Sequence, residues 1–287
     1  MRVPAWVPFA FLAPALAGLL LFRVVPIGIA LVGGFFGTSL TGETVFRGGA
    51  NYAGLAADPA FWDSVRITLL FNLIVNPLQV VLAFLLALLM AKPGRGIGAL
   101  RTALLLPITV SIALTSVLWS ILLDPGLGPV NGLLRALSLP PQPFFRGEDQ
   151  SLASVIAMCT WRGVGYWMLF MLAGLSAIPP EVNEAASIDG AGPWRRLVHI
   201  TLPLMRRTLA FVLIADTAVN FLLFAPVYIV TNGGPNGSTA LLMFEAYRAA
   251  FTYLDDGRSL AISTVILLII GAVAALELRF FRVEDTA

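Results

Sequence analysis

Six stretches of this chain, at 9–36, 65–90, 102–123, 151–177, 207–231 and 259–281, are long and apolar enough to demand a bilayer, since a membrane-crossing helix takes about 20 mainly apolar residues. In lipid a single such segment must satisfy its backbone N–H and C=O groups internally, which selects the helix. The sequence therefore predicts an all-α, polytopic membrane protein of six transmembrane helices, a single domain over 1–287. Composition agrees: 58% of the 287 residues are hydrophobic and 12% charged, against about 25% charged in a soluble domain. The first stretch also has features of a secretory signal, with Arg2, an apolar run and "ALA" at 15–17. Its apolar character continues to Phe36, beyond the h-region of a signal peptide, so an uncleaved first span is expected.

Six spans place both termini on one side, and the positive-inside rule chooses which. Ten basic residues, among them Lys92, Arg95, Arg101 and the 195–207 arginines, fall on the terminal side and six on the other. The expected location is a bacterial plasma (inner) membrane, multi-pass, with N- and C-termini in the cytosol. The 178–206 loop is then cytosolic, and the loops at 37–64, 124–150 and 232–258 are extracytoplasmic.

Scarcity excludes several chemistries. One cysteine, Cys159, and one histidine, His199, make neither an intrachain disulfide nor a thiolate–imidazole zinc cage. The only lysine, Lys92, lies in "AKPG", so the Gly-Lys-Ser/Thr of a phosphate-binding loop is absent. No cofactor or metal is expected in this chain, and no basic run suggests nucleic acid.

The cytosolic stretch "EVNEAASIDGAGPWRRLVHITLPLMRR", 181–207, reads as helix–turn–helix. Pro179 and Pro180 suit a first helical turn, Glu181 and Glu184 complement the positive end of its dipole, and Gly190 and Gly192 suit a left-handed C-cap. "PWRRLVHITLP" then forms a second helix with Trp194, Leu197 and Val198 on one face. Two readings fit these residues. A slim helix between two spans can dock in a groove on a cytosolic partner, and a basic interfacial helix can lie against membrane lipid.

The spacing Glu184-Ala185-Ala186, three residues, Gly190, nine residues, Ile200, one residue, Leu202-Pro203 resembles the EAA motif of ABC-type importer permeases. "GGANYAGLAADPAFWDSVRITLLFN" is similar to the loop and second-span start of the carbohydrate (maltose/glycerol-phosphate) branch. "FAPVYIVTNGGPNGST" resembles its segment after the fifth span, with a departure at Ala225, where an acid is the expectation. The resemblance implies the type I importer-permease fold, with a cytosolic coupling helix between helices 4 and 5 and Glu184, Ala185, Ala186, Asp189 and Gly190 as ATPase-coupling residues. It also implies partners: a second homologous permease as heterodimer, two cytosolic ATPase subunits holding ATP and Mg, and an extracytoplasmic solute-binding protein. The solute it implies is a sugar, polyol or glycerol-phosphate-like molecule.

Polar residues inside the spans are the remaining candidates. Asn72, Asn76 and Gln79 share one face of the second span, Asp216 and Asn220 lie one turn apart in the fifth, and Arg23 lies in the first. They line a translocation path for a hydroxyl-rich solute, or they hydrogen-bond helices together. Asp216 carries the higher cost in lipid, and a pairing with Arg23 is one way to meet it. Arg162 and Trp161 lie within the fourth span. An ion-driven secondary transporter is the alternative, but it calls for paired intramembrane acids or interrupted helices in two matching halves. Asp216 is the one deep acid expected here. A membrane-embedded enzyme lacks its catalytic groups.

Overall fold

The computed structural model describes residues 6–38, 43–91 and 94–281. The chain begins with α1 (Trp6–Leu19) and α2 (Val25–Gly33), joined through a widened turn at Leu20–Val24. Pro26, which has no N–H to give, is the second residue of α2, just past that turn. A two-stranded antiparallel hairpin follows, β1 (Phe36–Thr38) with β2 (Thr44–Phe46), in the register Phe36↔Phe46. Next come α3 (Ala50–Ala57), α4 (Pro59–Met90), α5 (Ile97–Thr109), α6 (Ile112–Leu122), α7 (Pro129–Ala136) and α8 (Glu148–Ser176). The cytosolic loop of the sequence reading holds α9 (Pro180–Ile188), α10 (Pro193–Arg196) and α11 (Leu202–Leu204). The long helix α12 (Arg206–Phe221), the short α13 (Leu242–Tyr247) and α14 (Asp256–Phe280) complete the chain.

Among the described residues four helical segments are long and apolar enough to cross a membrane, at Phe11–Gly33, Pro59–Met90, Glu148–Ser176 and Asp256–Phe280, or six if two bent pairs each count as one crossing. Those pairs correct the expected spans. The third, expected at 102–123, is α5 and α6 meeting at 100°. Thr109 turns its hydroxyl back onto the Leu106 carbonyl at 2.7 Å, Val110 is extended, and Ser111 opens α6 by accepting the Leu114 N–H at 3.2 Å. Local side-chain bonds thus end one helix and start the next. The fifth span, expected at 207–231, ends at Phe221; Leu223 N–H closes a tight turn on the Asn220 carbonyl at 3.2 Å, and a separate turn spans Val227–Thr231 after Pro226. The second loop helix expected over "PWRRLVHITLP" is α10 and α11 joined by a widened turn, and the Pro193–Leu204 segment meets α12 at 67°.

By packing the chain divides into two compact units, 1–62 with 245–268 and 63–244 with 269–287. In the first, Asn51 donates to the Gly34 and Phe36 carbonyls at 2.9 and 2.7 Å, fixing α3 to the hairpin strand. Arg258 pairs with Asp58 and holds its carboxyl below the ordinary value of 3.8, helped by the Ala60 N–H. In the second unit two buried clusters form the core, one around Phe71, Val75, Met158 and Phe244, the other around Ala87, Trp167, Met168 and Met205. Lipid is as apolar as leucine, so helices associate there through close packing at small residues. Gly165 of α8 provides such a contact: a Cβ on it would run into the Leu104 carbonyl of α5.

Candidate functional site

The loop between α8 and α12 is built as its sequence suggests at the first helix. Pro179 precedes α9, Pro180 occupies its first turn with Glu181, and the helix ends at Ile188. Ala191 N–H bonds to the Ala186 carbonyl at 2.9 Å and Gly190 N–H to the Ser187 carbonyl at 3.2 Å, the paired bonds of a Schellman end. That end requires the left-handed backbone of Gly190, whose φ is +70°. Arg196 of α10 reaches back to the Ser187 hydroxyl at 2.8 Å and ties the two short helices together. Ala186 is buried, while Glu184, Ala185, Asp189 and Gly190 lie on the exposed face.

Two residues of that loop were not singled out as candidates from sequence. Ile188 is 87% exposed and Trp194 75% exposed. Trp194 therefore parts from Leu197 and Val198, with which it was expected to share a face; those two are half-buried. His199 contacts the Arg195 carbonyl through Nδ1 at 3.1 Å.

Inside the second unit the polar residues of α4 and α12 meet. Asn76 donates to Thr217 Oγ1 at 2.9 Å and, more loosely, to Asn72 Oδ1 at 3.3 Å; Asn220 donates to Asn76 Oδ1 at 2.8 Å and to Asp216 Oδ1 at 2.9 Å. Trp167 Nε1 of α8 donates to the same Asp216 oxygen at 2.7 Å. Asn72 donates to the Thr68 carbonyl at 2.9 Å, and Thr68 Oγ1 accepts the Leu242 N–H at 2.9 Å. Asn72 and Asn76 thus serve the network between helices.

Gln79, Asp216 and Asn220 have a second surface. They line a cavity of about 240 Å³ with Arg162, Tyr166 and Trp167, walled by Ile108 and Ile112 on either side of the α5–α6 break. Arg162 donates to the Val110 carbonyl at that break, at 3.4 Å. Asp216 is 1% exposed; its carboxylate is held on one oxygen by two neutral donors. Arg23, in the widened turn between α1 and α2, is exposed.

The expectation of one deep acid is corrected by Glu277 of α14. It accepts the Thr217 hydroxyl at 2.8 Å, beside Asp216 in sequence on α12, and its Oε2 is buried. Only the fold reveals that α14 brings it against α12.

The sequence family described as "Binding-protein-dependent transport system inner membrane component" matches residues 79–281. The chain is similar to the sn-glycerol-3-phosphate transport system permease protein UgpA of Agrobacterium fabrum, 32% identical over 275 residues, covering 95% of this chain and 94% of that protein. It is similar to the protein of the same name from Brucella abortus at 33% identity with the same coverage. Among solved structures it matches a chain of a bacterial alginate ABC transporter in complex with an alginate pentasaccharide-bound periplasmic protein. There the TM-score is 0.79 and identity 22%, over 96% of this chain and 92% of that one.

Proposed function

Since this chain belongs to the family of binding-protein-dependent transport inner membrane components, and is thereby the permease subunit of an ABC importer, we propose that it forms half of the translocation path for a sugar, polyol or glycerol-phosphate-like solute. The names of its relatives, two of them permeases for sn-glycerol 3-phosphate, support that solute class. A second homologous permease supplies the facing half. Two cytosolic ATPase subunits bind ATP and Mg, and an extracytoplasmic binding protein delivers solute at the 37–64, 124–150 and 232–258 loops. Both termini lie in the cytosol.

The observation that carries the coupling role is the exposed face of α9. Glu184, Ala185, Asp189 and Gly190 lie open on a short helix whose far end is locked by a Schellman turn. A locked helix transmits a push as a rigid body, where a frayed one would absorb it. Closure of the ATPase dimer moves α9 and, through Arg196 and α10, the start of α12. α12 carries Asp216 and Asn220, which with Gln79 form the solute-facing wall on this chain's side. Asn72 and Asn76 keep α4 and α12 in register during that motion.

Affinity purification of tagged protein from native membranes in mild detergent, with partners identified by mass, tests the assembly. An ATPase and a second permease should co-purify with wild type, and the ATPase alone should be lost from the Glu184→Lys, Gly190→Asp double variant. Absence of any ATPase in every detergent would contradict the proposal.

A further inference from the structure

A buried carboxyl, Asp216, and a half-buried guanidinium, Arg162, line the same cavity and lack full partners. Asp216 Oδ1 takes both available donors, from Trp167 and Asn220, while the buried Oδ2 has no hydrogen-bond partner. Arg162 reaches only the Val110 carbonyl, at 3.4 Å, its buried Nε is without a partner, and it makes no ion pair among the described residues. A buried carboxyl oxygen without a donor is costly, as is a guanidinium at membrane depth with a single long bond to an acceptor. Both costs remain because the two groups do not satisfy each other. The cavity thus presents an acceptor in one place and a fork of donors in another.

Resting on the reading that this cavity belongs to the solute path, we infer that Arg162 and Asp216 are the specificity-determining pair for a small polyol bearing one anionic group, a phosphate or a carboxylate. Arg162 receives the anion, because a planar guanidinium binds phosphate or carboxylate oxygens in pairs. Asp216 receives hydroxyls, because its unpartnered Oδ2 can accept and a hydroxyl donates. The assignment of ends is fixed by like-charge repulsion: Asp216 has Glu277 bound to the adjacent Thr217, so an anion is excluded there.

Size adds a limit. At about 240 Å³ the cavity lies below the ~300–1,000 Å³ of sites for drug-sized ligands. It suits a triose or a single sugar unit rather than an oligosaccharide. Tyr166 and Trp167, rings 4.8 Å apart and edge-on, give that unit an apolar wall.

The test uses the importer purified with its partner subunits in lipid nanodiscs, without the binding protein, so that the membrane cavity alone selects. Saturation-transfer NMR reports weak binding of three probes: sn-glycerol 3-phosphate, glycerol and inorganic phosphate. Wild type should bind glycerol 3-phosphate about tenfold or more tightly than either fragment, since linked ends bind as one ligand. Arg162→Gln should bring glycerol 3-phosphate down to the level of glycerol and leave glycerol unchanged, with Arg162→Lys in between. Asp216→Asn should weaken glycerol and glycerol 3-phosphate together and spare phosphate.

Equal binding of glycerol and glycerol 3-phosphate by wild type, binding of no probe, or an Arg162→Gln loss spread over all three would overturn the inference. Co-purification of the ATPase in the same sample separates its failure from that of the importer reading. With the ATPase present, only the charge assignment falls; with it absent, the permease assembly falls too.

Discussion

Gly190→Ala isolates the backbone requirement of the α9 end from any steric one. Nothing lies within 4 Å of a Cβ built on Gly190, so alanine meets no neighbour. Its φ of +70° nevertheless puts an L-residue in the left-handed region, at about 1–2 kcal/mol. Alanine recovers about 0.4–1 kcal/mol from its stiffer unfolded chain. The net cost is about 1 kcal/mol, a factor of about five in the population of the closed end. Asparagine, which tolerates this region, should lose less. Gly192 is the control: it is equally open but has φ −64°, so Gly192→Ala carries no left-handed penalty and should leave exchange at the 190 and 191 amides unchanged. Hydrogen exchange at the 190 and 191 amides reads the result, since these two N–H groups close the turn onto Ser187 and Ala186. Exchange should speed up about fivefold in Gly190→Ala. Equal exchange in Gly190→Ala, Gly190→Asn and Gly192→Ala would refute the argument that this turn stiffens α9.

Gly165→Val should cost about 3 kcal/mol or more, read as a lower detergent unfolding midpoint, because its Cβ runs into a backbone carbonyl that cannot swing aside. Trp167→Phe removes one of the two donors to Asp216 and should destabilise by about 1–3 kcal/mol in the same assay; replacing Asp216 by Asn in that background should recover part of the loss. The Asp58–Arg258 pair sets a pH dependence. A carboxyl held below 3.8 in the fold stabilises above that pH and loses its contribution as pH falls through the lowered value. The stability gap between wild type and Arg258→Gln should therefore be level from pH 7 to about 5 and close below about 4; a gap that widens in acid would contradict the pairing.

Much of the membrane architecture was legible because its signals are local. Pro179-Pro180, Glu181 and Gly190 each act within one turn, so α9 forms where the sequence places it. The α5–α6 break depends on Thr109 and Ser111 bonding their own backbone in the midst of an apolar run. Hydropathy averages over such residues and reads one straight span. The fifth span, expected to 231, overruns the end of α12 at Phe221 because the residues beyond it are as apolar as the helix. Asp216, Asn220 and Asn76 were recognisable as polar groups in lipid, but their bonds link α4 to α12 across 141 and 144 residues of sequence. No periodicity encodes that pairing. Glu277 and Arg162 acquire their meaning only from what α14 and α8 bring them against.

Docking of α9 on a cytosolic ATPase is the central claim, and photo-crosslinking from Ile188 tests it most directly. That side chain is 87% exposed at the end of α9, so a benzophenone amino acid there samples whatever faces the helix. The account predicts a covalent adduct with the ATPase subunit in intact cells, lost in the Glu184→Lys, Gly190→Asp background. Adducts with lipid alone, unchanged by those substitutions, would contradict it and make the segment an interfacial helix.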